Sequence, residues 1–341
     1  MPDKSTHRCE VIEVIKQPHP NADKLKVVDA CGYQVCVNDA DWPEGKLGAY
    51  VVPDSVVDSR RPEFAFLADQ AKEDGSYRVR VKRLRGYLSQ GFLAPAPPDS
   101  KVGDDVAEAL GVTRYVPPCE LEAGSDNIVG PDPTLPRYDV ESWQGHSKAS
   151  GLLFKDLFVP GERVRVTEKI HGASARYMFA EGQMWVGSRT NWKKPDAAER
   201  QWHTALKNTP QIEAYCQKHP GIVLYGECYG QVKGMKYGRD KVGPGFVCFD
   251  IWDKTHWLDG ADFILHVTFG NIPLCPLLYD GPYNEQAVLE LVSGPSILAK
   301  NQGGSHIREG IVVRPYVERQ HPELGRVQLK LVSDAYLEKG Y

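Results

Sequence analysis

The chain has no apolar run approaching the roughly 18 residues that a membrane-spanning helix needs. Its first ten residues, MPDKSTHRCE, hold no apolar core of a secretory signal. It has no C-x-x-C pair, and the eight cysteines at 9, 31, 36, 119, 216, 228, 248 and 275 follow no regular spacing. Neither a zinc site nor a disulfide framework is expected, and reduced thiols in a cytoplasmic protein are the simplest account. Repeats and low-complexity tracts are missing. So is a strong charge of either sign: 41 Lys and Arg against 45 Asp and Glu leave a net −4. That argues against a chain that coats nucleic acid indiscriminately, but leaves room for a local basic groove.

What is present is a globular balance of 41% hydrophobic and 25% charged residues over 341 positions, too long for one ordinary core, so two domains are expected. Residues 8–95 read as short strands (RCEVIEVIKQ, KLKVVDAC, YQVCVN, LGAYVVP, SYRVRVKRL, SQGFLAP) broken by the turn signals HPNAD, DWPEG and EDGS. That pattern suggests a small all-β barrel. Proline and glycine then crowd APAPPDSKVGDD, VPPCELEAG and VGPDPTLPRYD, marking connections with one short helix at Val106–Leu110 between them. We place the boundary between 95 and 140 and divide the chain into residues 1–120 and 121–341. The second part reads as mixed α+β, with helix-like stretches at 197–207 and 285–291.

Within it, RVRVTEKIHGASARYMF (163–179) raises a question about Lys169. Alternation turns Val164 and Val166 one way and Arg163, Arg165, Thr167 and Lys169 the other. His171-Gly172 reads as a turn, which would leave Lys169 at the open end of a sheet beside a glycine. At this point a solvated lysine at a hairpin is the simpler reading and a nucleophile in a cleft the alternative. The segments that follow decide. WVGSRTNW places Arg189 after a strand, and GIVLYGECYG ends a strand on Glu227. GFVCFDIW sets Phe249 before Asp250, with Phe246 as a second aromatic. REGIVVRP sets Glu309 before a strand that Arg314 closes, and GRVQLKLVS puts Gln328 and Lys330 on one face.

That order resembles the covalent nucleotidyltransferase superfamily of ATP-dependent DNA and RNA ligases and mRNA capping enzymes, whose lysine nucleophile stands in K-x-D-G. EKIHG departs by carrying His171 at the aspartate position, and in this looks like the RNA ligase branch that includes the RNA-editing ligases. REGIVVRP is similar to that branch's fourth motif. In the fifth motif Gln328 replaces the first of two lysines, so only Lys330 carries over. In the first part, QPHPNADKLKVVD and LRGYLSQGFLAP look like the OB-fold tRNA-binding modules of aminoacyl-tRNA synthetases. Eleven residues follow Lys330, which leads us to expect no OB domain behind the catalytic one, unlike DNA ligases and capping enzymes. The expected fold is α+β: an N-terminal OB-type β-barrel, then a mixed α+β nucleotidyltransferase (ATP-grasp-like ligase) domain.

The resemblance implies an ATP-dependent RNA ligase. A capping-type guanylyltransferase and a non-catalytic tRNA- or RNA-binding protein are the alternatives. Lys169 would attack the α-phosphorus of ATP and form lysyl-AMP, and Lys330 would hold the α-phosphate through the transition state. Glu168 and Ile170 flank the nucleophile in the ATP site, with Arg165 and Arg314 as candidates for the phosphates. Glu227 and Arg189 would touch the ribose, Phe249 would stack on adenine, and Val312 would lie on the opposite face. Mg2+ or Mn2+ favours carboxylates, which points to Glu227 and Glu309. The partner is RNA, or an RNA-containing duplex with a strand break, and no obligate protein partner is expected. Arg78, Arg80, Lys82, Arg83 and Arg85 form the candidate phosphate track. Tyr33 and Trp42 are base-stacking or core residues, and His19 belongs to a turn.

Overall fold

The computed structural model describes residues 8–115, 126–147, 150–196, 200–232 and 234–339. Contacts divide the chain into two units, one holding residues up to 118 together with 144–153, the other 119–143 and 154–339. In the first unit the alternating stretches form β1 (Cys9–Glu13), β2 (Lys16–Pro18), β3 (Leu25–Ala30), β4 (Tyr33–Asn38) and β5 (Leu47–Val51). An insertion over residues 52–91 then carries β6 (Ser55–Asp58), a 3-10 helix (Pro62–Gln70), β7 (Ser76–Arg78), β8 (Lys82–Leu84) and β9 (Tyr87–Ser89), and β10 (Phe92–Pro95) follows it. β5 lies between β1 and β10, and β3 between β2 and β4. β1 and β2 are one bent strand that passes from the first sheet to the second at Val14–Ile15, as an OB barrel requires. Val11, Ala49, Val51 and Ala94 pack with Phe64 and Leu110, while Val14, Val28, Val35 and Trp42 pack with Leu93. Trp42 is therefore a core residue. A helix at Ala107–Leu110 and β11 (Thr113–Arg114) complete the unit.

The second unit is built on two sheets. Its strands are β12 (Asn127–Ile128), β13 (Glu141–Ser142), β14 (Arg163–Lys169), β15 (Gly172–Ala180), β16 (Gln183–Ser188), β17 (Trp192–Lys193), β18 (Val223–Tyr229), β19 (Gly245–Trp252), β20 (Leu277–Pro282) and β21 (Gly310–Pro315). After a small hairpin of β22 (Gln320–His321) and β23 (Gly325–Arg326) comes β24 (Leu329–Val332). One sheet runs β12-β17-β16-β15-β18-β19 and the other β13-β24-β21-β14-β20. Helices Gln201–Lys207, Pro210–Lys218 and Gly260–Phe269 cover the back of the six-stranded sheet, where Trp202, Ile212, Tyr215 and Phe263 meet Tyr177, Leu224 and Phe246. Each such side chain contributes about 1.5–3 kcal/mol by leaving water. Behind the five-stranded sheet, Val164, Val166, Ile311, Val313, Leu329 and Leu331 pack on Trp143, Phe158 and Tyr283.

Three sequence expectations change. The helix read at 197–207 is observed at Gln201–Lys207, its first three positions lying outside the described residues, while Pro210–Lys218 and Gly260–Phe269 are helices that periodicity did not separate from loops. The SYRVRVKRL strand is interrupted into β7 and β8, in different sheets, although Val79 and Val81 still point inward. Most consequentially, 163–179 is not a hairpin: β14 belongs to the five-stranded sheet and β15 to the six-stranded one.

Candidate active site

Only Ile170 and His171 join β14 to β15, so Lys169 stands at the seam where the two sheets meet. Gly172 does not make the turn. It is the first residue of β15, and a Cβ there would lie 2.0 Å from the Cys228 carbonyl oxygen, so the glycine allows close approach of β18. Gly310, paired with Lys169, has the same role on the other sheet, where a Cβ would meet the Leu331 oxygen at 1.9 Å. Both glycines bring strands tightly under the lysine.

Lys169 Nζ donates to Glu309 Oε1 at 2.6 Å. Burial alone would lower the ammonium's pKa, but Glu309 and, more weakly, Glu227 outweigh it and hold the group above its ordinary value. The second Glu309 oxygen, Oε2, is buried with no hydrogen-bond partner among the described residues. In strand register Thr167, Val312 and Lys330 form one row on the same face of the five-stranded sheet as Lys169. These four are half-buried while their neighbours are core. Lys330 is two strand spacings from β14, roughly 10 Å, a span that two lysine side chains can close. On the six-stranded sheet Glu227 pairs with Ser174 and Val247. The fold thus brings together Lys169, Glu227, Val312 and Lys330 from four strands, with Glu309 immediately before one of them.

Other sequence candidates stand differently. Glu168 is 1% exposed, and its carboxylate accepts from Ser296 Oγ at 2.5 Å, Ile297 N at 2.8 Å and Leu298 N at 3.2 Å. It ties the start of helix Ile297–Asn301 to β14, so the carboxylate the sequence offered to a nucleotide is taken up by the fold. The Ile170 side chain is buried with Tyr237, Met235 and Leu298, which leaves only its backbone for a ligand. Arg165 and Arg314 are paired with each other four residues before Lys169, roughly 13 Å along the strand. Arg314 pairs with the fully buried Asp250 at 2.7 Å, as does Arg326. Burial would raise the Asp250 carboxyl, but the two arginines hold it below its usual value. Arg165 lies over Phe263, and burial with the like charge of Arg314 brings its pKa down to about 10. Both arginines are buried, and they lie away from Lys169 along the strand. Arg189, between β16 and β17, pairs with Asp139.

Phe249 sits at a bulge opposite Tyr225 and Gly226, half-buried, with Tyr138 on one side at 4.4 Å between centroids. Phe246 is 1% exposed in the core against Tyr177, so it is no alternative stacking platform. Sequence reasoning missed Tyr138, whose hydroxyl donates to Gln328 Oε1 at 3.0 Å. It also missed Tyr336 and Tyr237. Tyr336 OH bonds His171 Nδ1 at 2.6 Å, and the Tyr237 hydroxyl accepts from His171 N at 2.8 Å. Separations of 66 to 190 residues leave no local signal for these contacts. Among the described residues no three His, Cys, Asp or Glu side chains converge as a ready-made metal site.

In the first unit Arg80, Lys82, Arg83 and Arg85 are exposed. Arg78 is committed to Asp54 at 2.7 Å and stacks on Tyr115 at 3.8 Å. His19 is buried: Nε2 bonds the Leu84 oxygen and Nδ1 accepts from Asn21 N.

The family model described as RNA ligase matches residues 162–332, and one described as an OB-fold domain matches residues 9–96. The solved structure titled Naegleria gruberi RNA ligase with PPi is similar at 26% identity and a TM-score of 0.78, covering 98% of this chain and 99% of that one. A lysine-to-alanine mutant of that ligase with ATP and Mn is similar at 25% identity and 0.78, covering 97% and 98%. A lysine-to-methionine mutant with AMP and Mn stands at 26% and 0.78, covering 98% of each. No curated protein sequence matches the chain.

Proposed function

The chain belongs to the RNA ligase family, and we propose that it seals RNA breaks bearing a 3′-hydroxyl and a 5′-phosphate, in RNA repair, using ATP and a divalent cation through a covalent lysyl-AMP. The observation that carries this reading is the lysine at the seam of two sheets, paired to Glu309 at 2.6 Å, with Glu227 and Lys330 converging on it. The similar Naegleria ligase has been solved with ATP, with AMP and with PPi, which are the substrate, the transferred group and the leaving group of lysine adenylylation.

The chemistry follows from the charges. In the free protein Glu309 keeps Lys169 protonated and non-nucleophilic. The partnerless Glu309 Oε2 and the neighbouring Glu227 suit a hard cation that takes few carboxylates and keeps waters or phosphate oxygens. Such an ion, when bound, would supply positive charge at the α-phosphate. Lys169 gives up its proton to solvent, its neutral amine attacks the α-phosphorus, and pyrophosphate leaves. Lys330 holds negative charge on the α-phosphate, where it develops. AMP passes from Lys169 to the RNA 5′-phosphate, and the 3′-hydroxyl displaces it to close the strand. Val312 and the side of Phe249 away from Tyr138 form the base slot, and Arg189 and Glu227 serve the ribose. Exposed Arg80, Lys82, Arg83 and Arg85 hold the RNA backbone.

Incubation with ATP or GTP labelled at the α-phosphate, followed by a denaturing gel, tests the reading. Label retained from ATP and released by RNA with a 5′-phosphate is expected. Retention from GTP alone would mean a capping enzyme, and no retention a binding protein.

A further inference from the structure

A single exposed phenylalanine needs no explanation, but Phe66 is not single. It is 60% exposed, and its ring stands edge-on against Phe92 at 5.3 Å and 90°, which fixes its orientation. Phe92 in turn meets the buried Phe64 at 6.1 Å. Further along the same 3-10 helix, Gln70 accepts from Lys82 Nζ at 2.5 Å, and that ammonium also lies over Tyr77 at 5.5 Å. One short helix therefore brings a fixed, accessible aromatic ring together with the cation that Gln70 holds. That is how single-stranded nucleic acid is held, by stacked bases with the backbone along a positive track.

This helix lies in the loop joining the last two barrel strands, residues 52–91, one of the two OB loops suited to oligonucleotides. The other such loop is HPNAD, and the two are tied together. His19 Nε2 bonds the Leu84 oxygen at 3.2 Å and Asn21 Nδ2 donates to the Arg85 oxygen at 3.0 Å. They grip the two-residue turn Arg85-Gly86, where both residues have positive φ, 49° and 80°, as a tight hairpin requires. The basic β8–β9 hairpin is thus tied to HPNAD and, through Lys82 and Gln70, to the helix that carries the ring.

We propose that this loop forms a base-stacking subsite for single-stranded RNA, with Phe66 as the platform and Arg80 and Lys82 holding the phosphates on either side. The inference rests on the RNA ligase reading, and it specifies that an unpaired stretch next to the break is gripped by its bases as well as its charge.

The test uses the full chain and a 5′-phosphorylated single-stranded oligoribonucleotide, with binding followed by anisotropy across a salt series. Phe66→Ala should weaken binding about 5- to 150-fold, the loss of one stacked base, without changing the slope of log affinity against log salt. Lys82→Ala should instead flatten that slope by about one unit. Phe66→Trp should keep the affinity and show emission quenched by RNA. An abasic nucleotide scanned through the strand should weaken wild-type binding at one position and leave Phe66→Ala unaffected there. Wild-type affinity in Phe66→Ala, or a flat abasic scan, would overturn the subsite and hand the exposed ring to some other partner. Labelled AMP retention is measured in parallel. If wild type and Phe66→Ala both fail to retain AMP, the ligase reading falls while the RNA-binding result stands on its own.

Discussion

Removing the Glu168 carboxylate should damage the fold before it damages nucleotide binding. Its two oxygens accept from one hydroxyl and two backbone amides, all buried or nearly so. In Glu168→Ala the Ser296 hydroxyl can rotate to another acceptor, but the Ile297 and Leu298 amides cannot. Each buried donor left without a partner costs about 1–3 kcal/mol, so the pair loses about 4 kcal/mol, within the range for breaking a buried charged contact. For a unit of this size, about 2–4 °C of Tm is lost per kcal/mol, which gives a fall of roughly 8–16 °C in the catalytic unit's transition. Glu168→Gln keeps the shape and one acceptor oxygen and should lose about half as much. Thermal and urea unfolding, followed by an aromatic signal of the catalytic unit, read both. At a temperature where Glu168→Gln is still folded, its KM for ATP in lysine adenylylation should match wild type. An unchanged unfolding midpoint in Glu168→Ala, combined with a raised KM for ATP, would show that the carboxylate is a ligand and that its three hydrogen bonds are incidental.

Lys169→Ala should retain no labelled AMP yet still seal a pre-adenylylated RNA; covalent label on that variant at wild-type level would remove Lys169 from its role. Because Lys169 is held above its ordinary pKa by Glu309, the amine is protonated throughout pH 6–9. Its neutral fraction grows tenfold per pH unit below that pKa, so the rate of adenylylation should rise with pH with a slope near one. A flat profile under conditions where chemistry limits the rate would contradict that assignment. Lys330→Ala should be slow both in adenylylation and in sealing pre-adenylylated RNA, since the same phosphate needs it in each; normal sealing would confine it to the attack on ATP. A ribonucleotide at the 3′-hydroxyl side should be required, because the 2′-hydroxyl is what distinguishes RNA from DNA at a site; equal rates on an all-DNA nick would refute this.

Strand-local information was legible in the sequence. Alternation placed Val164 and Val166 in the core and Lys169 on the opposite face, because a strand's period of two needs only its own residues to be read. The same held for Val79 and Val81 beneath the exposed Arg80 and Lys82, and the order of Lys169, Glu227, Glu309 and Lys330 was enough to suggest one cleft. What alternation cannot encode is which sheet a strand joins. That β14 and β15 part into different sheets, with Gly172 and Gly310 allowing the strands to close beneath the lysine, depends on pairings as distant as Val164 with Pro315, 151 residues apart. Charge was equally ambiguous in one dimension. Glu168 and Glu309 both looked like ligands, as did Arg314. Only the folded neighbours separated them: three donors from a distant helix satisfied Glu168, Asp250 neutralised Arg314, and Glu309 alone was left with an oxygen to offer. A titratable side chain's role is set by what desolvates and pairs it, and those partners are chosen by tertiary packing.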